Sequence, residues 1–191
     1  VSLYSDAYKA TKNELYRKVV YKTIDFVNSE LKDESGGYYS SLDADSKTIN
    51  GALEEGAFYV WTAEELKDTL KDDYTVFSNY YNINPYGYWE DENYVLIRSE
   101  DAQKIATIHN LSVLELEQII KNCNSKLIKV RNKRGKPRLD DKILTSWNGL
   151  MIKGFVDSYK AFNKPEFLNS AIDNAEFIVK NLYSEDGQLL R

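Results

Sequence analysis

Acidic and aromatic side chains are concentrated in one stretch of the sequence. Between Gly36 and Trp61, Asp43, Asp45, Glu54 and Glu55 stand beside Tyr38, Tyr39, Tyr59 and Trp61. A pair of carboxylates can supply the acid and the base, or the nucleophile, for work at a glycosidic or hemiacetal carbon. Aromatic faces next to them suit the apolar faces of a sugar ring. The stretch therefore reads as a site for a polyhydroxylated ligand, with Asp43 and Asp45 as candidate catalytic groups. Two residues apart on a strand, they point to one face; the alternative is a polar turn in which the aspartates bond nearby backbone N–H groups. Asp140 and Asp141 form a second acidic pair, with Lys142, Trp147 and Asn148 just beyond them. One of the two is expected to cap the following helix, which leaves Asp141 for the site.

Other residues have plainer roles open to them. Trp61 and Trp147 suit stacking on a sugar, yet a staple position and an inner helix also explain them as packing groups. Arg131, Lys133, Arg134, Lys136 and Arg138 can hold a phosphate or carboxylate, or simply form a solvated loop. His109 is the only histidine and has no acid/base partner pattern around it. No metal site is expected: Asp43, Asp45 and Glu54 fall at the first, third and twelfth positions of a calcium loop, but Lys47 and Thr48 occupy the places of a ligand and of the turn glycine. No cofactor is implied.

The elements that must position these groups are mostly helical. Leu15, Tyr16, Val19, Val20, Ile24, Phe26, Val27 and Leu31 recur at helical spacing and predict a helix over 13–31, ended by the turn Lys32 to Gly37. The two Gly-led, aromatic-rich runs at 36–46 and 54–61 predict a β-ribbon. Thr62 with Glu65, and Ser112 with Glu115, are capping boxes that start two further helices. A turn-rich aromatic loop, Asn82 to Asn93, lies between them. Ile143 to Tyr159 is apolar on most of its circumference and predicts a buried inner helix, followed by a one-sided helix over 166–183.

Composition bounds the rest. The 191 residues are 42% hydrophobic, enough to bury a core in about one domain. A net charge of -5 argues against a nucleic-acid partner, and no apolar run is long enough to span a membrane. One Cys excludes an internal disulfide and suits a reducing, cytoplasmic setting. The chain is expected to be a fragment, since it breaks off at Arg191 in mid-pattern. That pattern is an internal repeat: Asp6-Ala7-Tyr8-Lys9-Ala10 matches Asp157-Ser158-Tyr159-Lys160-Ala161, and at the same spacing Tyr16, Phe26, Leu31 and Gly36 match Phe167, Phe177, Leu182 and Gly187. Repeated helical hairpins stack side by side, because one hairpin cannot bury both of its faces.

Gly36-Gly37-Tyr38-Tyr39-Ser40, Leu42-Asp43-Ala44-Asp45-Ser46, Glu55-Gly56-Ala57-Phe58-Tyr59-Val60-Trp61-Thr62, Arg134, Pro137, Asp140-Asp141-Lys142 and Trp147-Asn148-Gly149-Leu150-Met151 together resemble the thioredoxin-domain-containing, spermatogenesis-associated protein family of bacteria and animals. The resemblance implies an all-α fold, a middle piece of an (α/α)6 toroid like that of six-hairpin glycosidases, with a short β-ribbon insertion. It further implies a thioredoxin-like domain and later hairpins elsewhere in the protein. On this reading Asp43, Asp45 and Asp141 are catalytic candidates. Tyr39, Glu55, Tyr59, Trp61, Lys142, Trp147 and Asn148 line a carbohydrate site, and faces left open by truncation permit a homodimer. The alternative is a non-catalytic binding or scaffold module serving the thioredoxin-like domain.

Overall fold

The computed structural model describes residues 1–48, 50–90 and 92–190. Ile49 of the ribbon link, Asp91 of the aromatic loop and Arg191 at the expected break lie outside the described residues. The chain is predominantly helical and divides into two compact units, one made of Val1–Asp43 with the chain from Leu139 onward, the other of Ala44–Arg138. No helix among the described residues is long and apolar enough to cross a membrane.

The first unit consists of two helical hairpins, α1 (Ser2–Thr11) with α2 (Glu14–Glu30), and α7 (Thr145–Phe162) with α8 (Pro165–Asn181). Helix α7 packs on both α8 and α1. Val20, Ile24, Tyr38, Phe155, Phe167 and Ala171 form the core between them. The repeat read from the sequence is present in the backbone. Both hairpins turn through a left-handed residue, Lys12 (φ 57°) and Asn163 (φ 51°), whose N–H closes on Tyr8 and Tyr159 respectively. Both outer helices then end in the same loop. Lys32 bridges Tyr38 as Tyr183 bridges Leu189, and Gly36 (φ 104°) and Gly187 (φ 82°) take the positive φ that a side chain would strain. The Tyr39 and Leu190 N–H groups return to Leu31 and Leu182.

One buried side chain fastens the first of these loops to the second hairpin. The Asn148 Oδ1 accepts from the Tyr38 N–H at 2.8 Å, and its Nδ2 donates to the Tyr38 and Leu144 carbonyls, both at 3.0 Å. Asn174 of α8 donates to the same Oδ1 at 3.1 Å. Next to this junction, β1 (Ser41–Leu42) pairs antiparallel with β6 (Leu139–Asp140). Asp140 therefore lies in a ladder and caps nothing; α7 starts at Thr145, with Leu144 at the N-cap and no side-chain cap bond. The helix is also less covered than its composition predicts. Only Asn148, Gly154, Phe155 and Ser158 are buried, while Trp147 is 53% and Leu150 69% exposed, because α1 and α8 cover only part of its apolar circumference.

In the second unit the ribbon is shorter than the sequence suggests. It joins β2 (Asp45–Lys47) to β3 (Leu53–Glu55), and from Gly56 (φ 71°) the aromatic run becomes a turn, with the Tyr59 and Val60 N–H groups on the Gly56 carbonyl. The predicted second run thus ends as a strand before its aromatics. Trp61 and Thr62 form β4, which pairs with β5 (Asn93–Tyr94). Both capping boxes form as read, at α3 (Ala63–Leu70) and α6 (Val113–Arg131). With α4 (Tyr74–Tyr80) and α5 (Ala102–Ile108) these helices enclose a core that includes Trp61, Leu66, Leu70, Phe77, Leu116, Cys123 and Leu127. Burial pushes the Cys123 thiol up to about 11, so it stays protonated.

Replacing Asn148 with Ala leaves the Tyr38 N–H and C=O unpaired inside the first unit, and at about 1 kcal/mol per lost bond should lower urea stability by about 2–4 kcal/mol. Amide hydrogen exchange should then speed up at 31–39, and wild-type protection there in the variant would count against the junction. Burial pushes the Tyr38 hydroxyl up to about 12, against about 10 in the unfolded chain. Only the unfolded state loses this proton between those values, so Tyr38 stabilises the fold fully below about pH 10 and the contribution is lost as pH rises to about 12. Tyr38→Phe should show a shallower alkaline decline than the wild type in denaturation scans over that window.

Candidate functional site

The sequence-predicted residues are divided between the two units. Tyr39, Asp43, Asp141, Lys142, Trp147 and Asn148 belong to the first, and Asp45, Glu55, Tyr59 and Trp61 to the second. The expectation that Asp43 and Asp45 share one strand face does not hold. They flank a bend at Ala44; Asp43 lies just past β1 while Asp45 opens β2, and the two-residue period that would align them operates only within one strand.

In the first unit, Tyr39 donates to Asp33, which also accepts from the Ser35 N–H at 2.9 Å and from the Ser35 hydroxyl. The Ser35 hydroxyl and then Tyr39 hold the Asp33 carboxyl below its ordinary value. The Asp33 bond raises Tyr39 in turn, and the Asp141 carboxylate is near enough to add to that. Lys142 pairs with Asp140, and its carbonyl accepts from the Ser40 hydroxyl at 2.7 Å. Register puts Asp140 opposite Ser41, with Asp43 and Asp141 just beyond the ladder. Asn148 is 1% exposed with its amide committed to backbone and to Asn174, so it holds the scaffold instead of lining a wall. Trp147 is open to solvent at the start of α7.

In the second unit, the ribbon places Asp45 directly opposite Glu55. Cross-strand partners have Cβ atoms about 4.5–5.5 Å apart, and like charges so placed cost stability. This is the carboxylate pair that the local geometry brings together. The neighbouring Ser46 and Glu54 also face one another; Ser46 is buried and accepts from the Phe58 N–H at 2.8 Å.

Beside the ribbon lies a cavity of about 480 Å³. Its lining mixes polar and apolar surface in near-equal parts and includes Lys47, Thr48, Asn50, Glu54, Asn93 and Lys133. Arg134 builds one wall. Its guanidinium lies 4.1 Å from the Trp61 ring centroid, donates to the Val60 carbonyl at 2.6 Å and the Phe58 carbonyl at 3.2 Å, and reaches Glu65 at 3.1 Å. Glu65 is the same residue whose other oxygen accepts from the Thr62 N–H at 3.0 Å in the capping box. The basic loop is therefore not simply solvated. Arg131 likewise stacks on Phe58 and Tyr59, at 5.1 and 5.6 Å. Trp61 is 3% exposed, with the guanidinium occupying a face that a sugar would need.

Sequence reasoning missed the pairing of this loop with the aromatic turn, and with it the cavity. The available signal was the complementarity of Arg131 and Arg134, three residues apart, to Phe58, Tyr59 and Trp61. Cations of this kind seek aromatic faces and turn carbonyls.

The chain thus combines two helical hairpins, far apart in sequence, with a ribbon-and-helix unit that carries a cavity. No family model matches the chain. It is 32% identical over its whole length to an uncharacterized protein of Caenorhabditis elegans, of which it covers 29%. It is 28% identical to spermatogenesis-associated protein 20 of Homo sapiens and of Mus musculus, over 98% and 99% of the chain and 27% of each relative. The chain thus spans less than a third of the length of the curated relatives it matches.

Arg134 gives a direct test of how the cavity is built. Arg134→Met keeps the apolar stem over Trp61 but leaves the Val60 carbonyl and Glu65 without their cation. The expected result is a loss of about 2–4 kcal/mol in chemical denaturation. Arg134→Lys should recover only part of it, because one ammonium cannot reproduce the planar fork. Full recovery by Lys would show that charge alone suffices.

Proposed function

We propose that this chain is the ligand-binding part of a carbohydrate-binding or carbohydrate-processing protein built from repeated helical hairpins. The observation that carries the reading is the cavity of about 480 Å³ beside the ribbon, within the size range of small-molecule sites and lined mainly by hydroxyl, amide and charged side chains. Such a lining suits a ligand that is itself dense in hydroxyl groups. The two hairpins with identical closing loops support a larger α/α repeat, of which the (α/α)6 toroid is the finer form, and the length of the relatives leaves room for further hairpins and a thioredoxin-like domain. The exposed Trp147 and Leu150 face is where another hairpin, or a second copy, would pack.

Processing, as distinct from binding, requires a carboxylate pair. Register makes Asp45 and Glu55 cross-strand neighbours, and a retaining reaction would need their carboxyl groups about 5–5.5 Å apart. In this role one is the nucleophile and the other the acid and then the base. Asp43, Asp140 and Asp141 belong to the other unit, where Asp140 is paired with Lys142. A binding or scaffold module without chemistry would use the cavity and not the pair.

Titrating the full chain with a panel of neutral and acidic mono- and disaccharides should give saturable binding. Glu54→Ala should weaken it about tenfold, the loss of one charge-assisted hydrogen bond, with the melting temperature unchanged. Failure of every sugar, neutral and acidic alike, would overturn the proposal. For the enzyme reading, Asp45→Asn and Glu55→Gln should each abolish turnover by the full-length protein while sparing binding.

A further inference from the structure

We infer that the cavity takes a polyhydroxylated ligand bearing one anionic group, a sugar acid or a sugar phosphate, with Lys47 and Lys133 holding the anion and Glu54 accepting from its hydroxyls. The inference rests on the carbohydrate reading above and adds the charge of the ligand. Three basic and two acidic side chains line the cavity, and they are not equally available. The Arg134 guanidinium is engaged by Trp61, the turn carbonyls and Glu65, and Glu65 divides its oxygens between Arg134 and the Thr62 N–H. That pair is neutral and structural.

Lys47, Lys133 and Glu54 have no side-chain hydrogen bond or ion pair among the described residues. Their sum is one positive charge, in a chain whose net charge is -5. A cavity with the opposite sign to its protein draws a ligand of matching negative charge, and low-dielectric walls strengthen the effect. The two lysines come from one packed wall. The loop carrying Lys133 lies so close to β2 that a side chain at Gly135 would come within 3.2 Å of the Lys47 Cβ. Both lysines line the cavity, and as compact point charges their ammonium groups can pair with either a carboxylate or a phosphate. A carboxylate such as Glu54 can accept only from donors, which the hydroxyls of the ligand provide.

The test is calorimetric titration of the full chain with glucose, glucuronate, glucose 6-phosphate and inorganic phosphate. Glucuronate or glucose 6-phosphate should bind about tenfold or more tighter than glucose, with the stronger of the two identifying the anion. Lys47→Gln and Lys133→Gln should each narrow that gap about tenfold or abolish it, and raised salt should weaken only the anionic ligands. Equal affinity for glucose and its acids, or acids that bind the lysine variants as tightly as the wild type, would overturn the inference while leaving the carbohydrate reading in place. Inorganic phosphate binding as tightly as glucose 6-phosphate would overturn the carbohydrate reading and with it this proposal. Lys133→Arg keeps the charge and should retain binding, which separates loss of the cation from loss of the loop's shape.

Discussion

A buried amide holds the first unit together. Asn148 satisfies both backbone groups of Tyr38, and because those groups lie inside the unit they cannot turn to water instead. Its position in α7, one turn from the helix start, also lets the amide close the Leu144 carbonyl. Everything downstream depends on that placement. With Tyr38 fixed, the loop from Leu31 to Tyr39 returns to its own helix, Tyr39 meets Asp33, and the chain enters β1 against β6 at one register.

The second unit solves a related problem with a cation. The turn after β3 presents carbonyls to which no strand partner donates, and Arg134 provides a planar fork that donates to several of them while stacking on Trp61. Glu65 then ties that fork to the start of α3, so the same interaction shapes one wall of the cavity and anchors a helix. Using the arginine structurally leaves the lysines as the free charges of the cavity. The division of labour follows from geometry, since five fixed donors suit carbonyls at several directions and a flexible ammonium suits a ligand that comes and goes.

Much of this architecture was legible in the sequence. Both capping boxes, the helix over 14–30, the turn closed by Gly36 and the repeated hairpin depend on neighbours a few residues apart, and local steric and hydrogen-bonding rules act at that range. The ribbon was legible only in part. Aromatic residues at 57–61 have high strand propensity, yet Gly56 takes a positive φ and the following N–H groups return to it, so the pairing stops at Glu55. Asp140 reads as a cap from its place before a helical run, but pairing with Ser41 claims it for a ladder.

The amino-acid sequence by itself determined where α2, α3 and α6 begin, that one hairpin occurs twice, and that acids and aromatics gather around the ribbon. These are properties of short segments and their periods. Only tertiary structure decided which acids become neighbours. Asp43 and Asp45, two residues apart in sequence, were separated by a bend that leaves Asp43 outside the strands, while Asp45 was set against Glu55 by strand register. It likewise decided that Trp61 and Arg134 pack on each other, that Asn148 is spent on backbone, and that Lys47 and Lys133 share a cavity wall. Each of those outcomes depends on contacts between residues far apart along the chain, and no local rule carries that information.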